Sequence, residues 1–311
     1  MPLPADEKTV ETASAILTTL KDIFGPHPGF RPVHAKGLLL NGTFTPSPEA
    51  STLSSAPHFT APSTPILARL SSSTGHPTLP DTDPNGNPRG LALRFLLPPS
   101  PTGRRVHTDI VTHAVDGFPG RNGDEALSFF ASLRDGTIGT YLSTHPIAQA
   151  FVALPKPFPE SFSTERFFSV TAFKLISADG EETHIRYRVV PVKGYATLTT
   201  EEAQNKEAGY LYAEVPDLLA REGGIEYILA AQVAAEGDVA DDSSVKWPET
   251  REVVELGRVR LTSLVEGDAE VQKSVIFDPI PRVQGVESSG DPLLEVRAGL
   301  YLLSGRERRA A

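Results

Sequence analysis

What most limits the folds open to this chain is the rhythm of its strand-like runs. Apolar and β-branched residues cluster in short segments at 33–44, 66–73, 91–97, 106–113, 167–177, 182–192, 225–235 and 252–265. Dense turn signals separate several of them. One is the stretch GHPTLPDTDPNGNPRG at 75–90, and another is Ala178-Asp179-Gly180-Glu181, which reads as a hairpin turn between two strands. Residues 45–65, rich in Pro, Ser and Thr, read as a loop. Helical patterns gather at the two ends and in middle blocks, at 7–24, 124–134, 137–154 with an interruption at Pro146, 198–222 and 293–309. Strands joined by short turns, with helices set apart from them, predict an α+β plan built on an antiparallel sheet or barrel of about eight strands.

Composition removes several classes of function. A net charge of –10 argues against a nucleic-acid or anionic-membrane binder, so neither partner is expected. With no cysteine there is no disulfide, thiolate metal site or cysteine nucleophile. No apolar run approaches a membrane span, and the first twenty residues lack a signal-peptide pattern, so a cytoplasmic protein is expected. Asp81, Asp83 and Asn85 lack the distal glutamate of a calcium loop, and neither a phosphate-binding glycine loop nor a serine nucleophile elbow is present.

Two segments carry candidate chemistry. In 293–309, LLEVRAGLYLLSGRERR, Pro292 suits the first turn of a helix and Gly305 is expected to end it. Arg297 and Tyr301 lie four residues apart, hence on one face about a turn from each other. A guanidinium beside a phenol favours the phenolate, whose pKa is about 10 in free tyrosine, and a buried phenolate is a hard anionic ligand for ferric iron. Taken alone, an amphipathic helix with a tyrosine at its rim is the commoner meaning of such a pattern. In 31–37, Arg31 and His34 stand three apart at the expected start of a strand, where a lone histidine is more often structural.

Five segments in order change that weighting. They are Arg31-Pro32-Val33-His34-Ala35-Lys36-Gly37, Arg69-Leu70-Ser71, the run Asn87 to Phe95 (NPRGLALRF), Phe277-Asp278-Pro279 with Val283-Gln284-Gly285-Val286-Glu287, and Arg297-Ala298-Gly299-Leu300-Tyr301. Together they resemble the haem catalases, across residues 31–301. The chain is much shorter than a full-length catalase and in this is similar to the minimal catalase-related peroxidases. The resemblance implies a single catalase-like domain over 1–311, an antiparallel eight-stranded β-barrel with flanking helices enclosing one b-type haem. The NADPH site belongs to regions this chain lacks, so none is expected.

Carried over residue by residue, the resemblance implies that Tyr301 is the iron ligand, as tyrosine is in catalases generally. Arg297 holds it as phenolate. His34 is the acid–base group on the other face of the haem, oriented by Ser71. Arg31, Arg69 and Arg308 meet the haem propionates, Val33 lines the channel above the iron, and Phe118 stands where the family has a phenylalanine of the haem pocket. One position departs from the pattern. The family asparagine that positions peroxide is replaced by His113, which follows Asp109-Ile110-Val111-Thr112. Phe118 and Arg121 support that register. His113 either lines the pocket or turns outward at a strand end; the sequence leaves both open. Ala126 stands where relatives often have a bulky aromatic, which suggests a wider pocket.

The implied function is a haem peroxidase that uses hydrogen peroxide or an organic hydroperoxide to oxidise a small organic donor, with weak catalase activity. Two alternatives are a hydroperoxide isomerase or dehydratase of the allene oxide synthase type and a non-enzymatic carrier of haem or another apolar ligand. Val33 speaks against the first, because those relatives place threonine before the histidine. The joint presence of His34, Ser71, Arg297 and Tyr301 speaks against the second. A homodimer is the assembly to test, since the interlocking arm of catalase tetramers is missing.

Overall fold

In the computed structural model, which describes residues 2–311, eight strands follow one another in sequence order around a closed antiparallel ring. They are β1 (Gly37–Pro46), β2 (Thr64–Ser72), β3 (Arg89–Leu97), β4 (Val106–His113), β5 (Phe167–Phe168), β6 (Glu182–Pro191), β7 (Ile225–Val233) and β8 (Val253–Leu264). Each pairs with the next, and β8 returns to β1 with Phe44 opposite Val259. Closure leaves the long strands no free edge.

Alternation divides each strand between two layers. Leu40 and Phe44, Ile66, Ala68 and Leu70, Leu91, Leu93 and Phe95, and Tyr187, Val189, Tyr227 and Leu229 fill the interior as one apolar cluster. Their neighbours Leu39, Leu67, Ala92 and Val111 point outward and pack with Val275 and Phe277. The barrel is therefore solid, and the outer face of β1–β4 carries a second buried layer.

Four helices matter for that layer: α1 (Glu7–Phe24), α2 (Gly123–Arg134), α3 (Asp268–Ser274) and α4 (Pro292–Ala310). α1 starts at Asp6, whose carboxylate accepts the Thr9 N–H at 2.8 Å. α4 starts at Asp291 with Pro292 in its first turn. α1, α2 and α4 pack together around Ala13, Ile16, Leu20, Ala126, Leu293 and Val296. No helix among the described residues is long and apolar enough to cross a membrane.

Several boundaries differ from expectation. Gly305 does not end α4, which runs on to Ala310; a Cβ there would meet Ile276, so this glycine serves a close contact and not a cap. β1 starts at Gly37 and not at Val33, because His34 takes a left-handed backbone with φ 55°. The run 167–177 splits: β5 belongs to the barrel, while Phe173–Ile176 pairs with β6 and with Val286–Ser288 in a side extension. Between the two parts, the Ser169 hydroxyl takes over a ladder position by accepting the Tyr187 N–H at 2.8 Å. The turn at 178–181 forms the expected hairpin, and the break at Pro146 is where it was expected. Residues 45–65 include two short helices, Ala50–Leu53 and Pro57–Thr60. The run 198–222 is largely helical as expected, in three short helices.

Candidate active site

Ser71 on β2, Gly90 on β3 and His113 on β4 are direct cross-strand partners, so all three face outward in one row. The middle position must be bare. A Cβ on Gly90 would lie 2.7 Å from the Ser71 hydroxyl oxygen and 2.9 Å from His34 Cε1. The His34 ring, delivered by the loop before β1, occupies the place that this glycine leaves free.

That loop is held in a strained form. His34 is the one non-glycine residue with positive φ among the described residues. Its N–H donates to Ser73 O at 3.2 Å, and that of Ala35 to Thr74 O at 3.0 Å. Arg69 clamps the other side, donating to His34 O at 2.9 Å and Ala35 O at 3.2 Å. Its Nε donates to Gln272 Oε1 at 2.7 Å, and Gln272 in turn donates to Gly37 O at 3.0 Å and to Asp268 at 2.7 Å. A Cβ on Gly37 would collide with the Arg69 guanidinium.

His34 Nδ1 lies 3.0 Å from Ser71 Oγ, and the single Ser71 proton reaches Gly90 O at 3.4 Å. With that proton committed to the carbonyl, Nδ1–H is the donor to Ser71 and Nε2 keeps its lone pair, a tautomer assigned from the network. The ring is enclosed by protein yet open to a small molecule, because it faces a cavity. Burial, then the charges of Arg69, His113, Arg31 and Arg297, push its pKa down to about 3, so it is neutral at ordinary pH. Burial, with Arg297 and Lys156 nearby, pushes His113 to about 3 as well, and its Nε2 is buried without a partner.

α4 forms the opposite wall. Tyr301, Ser304 and Arg308 follow at spacings of three and four and line the cavity together. Arg297 donates from Nε to the Tyr301 hydroxyl oxygen at 3.3 Å and from Nη1 to the Thr171 hydroxyl at 3.1 Å. At one end of the cavity, three guanidiniums converge. Arg31 and Arg308 both donate to Val275 O at 3.0 Å, and Arg308 also donates to Ser304 at 2.8 Å. Among the described residues none of Arg31, Arg69 and Arg308 pairs with a carboxylate, and Arg308 Nε has no partner at all. Burial and mutual repulsion lower Arg31 and Arg308; Arg69 is lowered by burial, and both Arg69 and Arg308 fall to about 10.

The structure thus brings Arg31, Val33, His34, Arg69, Ser71, Tyr301 and Arg308 around one cavity, with about 710 Å³ free of protein atoms and part of that open to solvent. Arg297 stands behind Tyr301, and His113 is in the outward row next to His34. Phe118 packs against the α1–α2–α4 cluster and does not line the cavity. Ala126 is buried in that cluster too, so its small size does not widen the site. Sequence reasoning missed Gly90, Gln272, Thr171 and Ser304. Gly90 lay within a quoted motif, whereas nothing local marks Gln272 or Thr171.

The catalase family model matches residues 139–311. A catalase-related peroxidase of Mycolicibacterium paratuberculosis is 30% identical over 307 residues, covering 96% of this chain and 95% of the relative. A catalase-related peroxidase of Synechococcus elongatus is 29% identical over 308 residues, covering 96% and 88%. A crystal structure of a fungal catalase superposes with a TM-score of 0.78 at 20% identity, over 90% of this chain and 59% of that one. This chain belongs to the catalase family.

Proposed function

We propose that this chain is a catalase-related haem peroxidase, with residues 1–311 acting as one haem domain. The observation that carries this reading is the arginine cluster. Arg69 and Arg308 are buried and Arg31 is half-buried; cations so placed without an anionic partner cost several kcal/mol unless a ligand supplies negative charge. They stand at one end of a cavity whose walls offer a neutral imidazole and a phenol. A dianionic, flat, apolar cofactor such as haem b fits all three features. Arg31, Arg69 and Arg308 would take its propionates in forked hydrogen bonds. Tyr301 would hold the iron, with the Arg297 guanidinium donating to its oxygen.

When bound, haem supplies a ferric centre that accepts oxidising equivalents from peroxide and passes them to a donor. The chain's own residues manage the protons. His34 Nε2 takes a proton from the near oxygen of peroxide and returns it to the departing oxygen, with Nδ1–H anchored on Ser71 throughout. His113 offers a second nitrogen beside it, in the place where the family has an amide.

The relatives' names favour peroxide chemistry over hydroperoxide rearrangement. The same reading includes a cytoplasmic location, which rests on the sequence pattern, and a homodimer, which rests on the resemblance. The test is oxygen released per hydrogen peroxide consumed by haem-loaded protein, with and without a phenolic donor. We expect little oxygen without donor and rapid peroxide consumption with it. Tyr301→Phe should lose the haem or its ferric tyrosinate spectrum, and an unchanged spectrum would remove Tyr301 from its role.

A further inference from the structure

A second cavity abuts the first. It lies between the loop leaving α1 and the last turns of α4, and it shares Arg31, Pro32 and Arg308 with the cavity described above. The two guanidiniums form a partition. One side belongs to the space of His34 and Tyr301, and the other to a recess lined by Lys21, His27, Phe30 and Glu307.

The recess is built from fixed parts. Gly25 and Gly29 turn the backbone through φ 82° and 81°, which only glycine takes without strain. The Phe30 N–H donates to His27 O at 3.0 Å, and His27 Nε2 lies 2.9 Å from Phe24 O. Lys21 and Glu307 pair at 2.6 Å, joining α1 to α4. Phe30 is 49% exposed at the edge of this space.

Its charge runs against that of the chain. The protein carries –10 overall, yet this recess gathers Lys21, Arg31 and Arg308, with Glu307 its one acidic side chain. In the peroxidase reading, two propionates face three guanidiniums, so one positive charge stays uncompensated at the partition. Among the described residues Arg308 Nε has no hydrogen-bond partner, and Arg31 makes one side-chain hydrogen bond, to Val275 O.

We propose that the recess is the donor site of the peroxidase, and that it takes a small aromatic monoanion, a phenol bearing a carboxylate. The carboxylate meets the outer edges of Arg31 and Arg308, and the ring lies against Phe30 and His27. This inference rests on the peroxidase reading and adds to it the place and class of the donor. The chemistry balances with one hydrogen peroxide and two donors. Each donor gives up one electron and its phenolic proton and leaves as a phenoxyl radical. The two electrons and two protons reduce the peroxide O–O bond to two waters.

Haem-loaded protein is assayed with three phenols: anionic para-hydroxyphenylacetate, neutral para-cresol and cationic tyramine. Binding of the first is followed separately by paramagnetic broadening of its ring protons. The acid should show a Michaelis constant about tenfold below that for para-cresol, with tyramine weakest, an ordering that shrinks in high salt. Lys21→Glu should raise this constant and weaken the binding of the acid about fivefold, and Glu307→Lys should strengthen both by a similar factor. Neither should change the Michaelis constant for para-cresol or the rate of peroxide consumption without donor. Phe30→Ala should raise the constant for both the acid and para-cresol. Equal constants for the three donors, or an acid indifferent to both charge changes, would overturn the donor site and leave the peroxidase reading standing. Haem-loaded protein inert to peroxide would overturn that reading and this one with it.

Discussion

Arg94 and the trio of Arg31, Arg69 and Arg308 lie buried or half-buried on the same outer side of the barrel, in opposite electrostatic states. Arg94 is answered completely. It donates to both oxygens of Asp109 at 2.9 and 2.7 Å and to Ile276 O, and its guanidinium lies 5.1 Å from the Phe277 ring centroid. Asp109 also accepts the Asp278 N–H at 2.7 Å, so the pair anchors the segment whose Ile276 and Phe277 line the cavity. The trio meets only carbonyls, an amide and a hydroxyl. A buried cation with its own acid is architecture; cations gathered without one around a cavity can take an anion from outside. The histidines divide in the same way. His58 lies 4.0 Å from the Phe59 ring and 4.5 Å from that of Phe95, whereas His34 is tethered by one nitrogen and offers the other to the cavity.

The largest effect should come from breaking the answered pair. Asp109→Ala leaves Arg94 buried without an acid and should cost about 3–5 kcal/mol, read by denaturant unfolding of haem-free protein. A loss below about 1 kcal/mol would erase the distinction between the two kinds of arginine.

His58 sharpens the histidine side through pH. Burial lowers its pKa from 6.5 to about 3, so the folded state keeps it neutral while the unfolded chain takes up a proton below about 6.5. Its contribution is thus intact above 6.5 and is lost as pH falls towards 3. The stability of His58→Phe relative to the parent should rise by up to about 1.4 kcal/mol per pH unit in that window. A difference independent of pH would mean that His58 titrates normally.

His34→Ala should leave haem binding in place and slow the reaction with peroxide by about a hundredfold or more, measured by stopped-flow absorbance. His58→Phe should leave that rate alone. If both variants react alike, the contrast between a core and a cavity histidine fails.

The smallest effect is also the one with a change of sign. Arg308→Met removes an uncompensated buried cation, so haem-free protein should keep its stability to within about 1 kcal/mol or gain slightly. The same change should speed haem dissociation about tenfold, the loss of one charged hydrogen-bonding partner. Destabilisation of the haem-free protein by several kcal/mol would mean that Arg308 is structural, like Arg94.

Much of the fold could be read in advance because it is local. Period-two alternation, the turn at 178–181 and the break at Pro146 each depend on a few neighbouring residues. The misreadings arose where distant groups decide. Gly305 looks like a helix stop until Ile276 occupies the space of its missing side chain. The run from Val33 looks extended until Arg69, Ser73 and Thr74 hold His34 in the left-handed region.

The site divides along the same line. Arg297 and Tyr301 could be paired from sequence because helix geometry sets their spacing, and the family motifs named His34, Ser71 and the three arginines. The order of residues was enough to say which chemical groups this protein has, and which of them share a strand face or a helix turn. Folding in three dimensions settled the rest: the cavity lies outside a solid barrel, Gly90 makes room for His34, and three arginines meet without an acid. Those facts depend on contacts between residues tens to hundreds of positions apart, such as Arg69 with Gln272. Side-chain periodicity carries no information over such separations, because closing the chain on itself, not the local backbone, sets those distances.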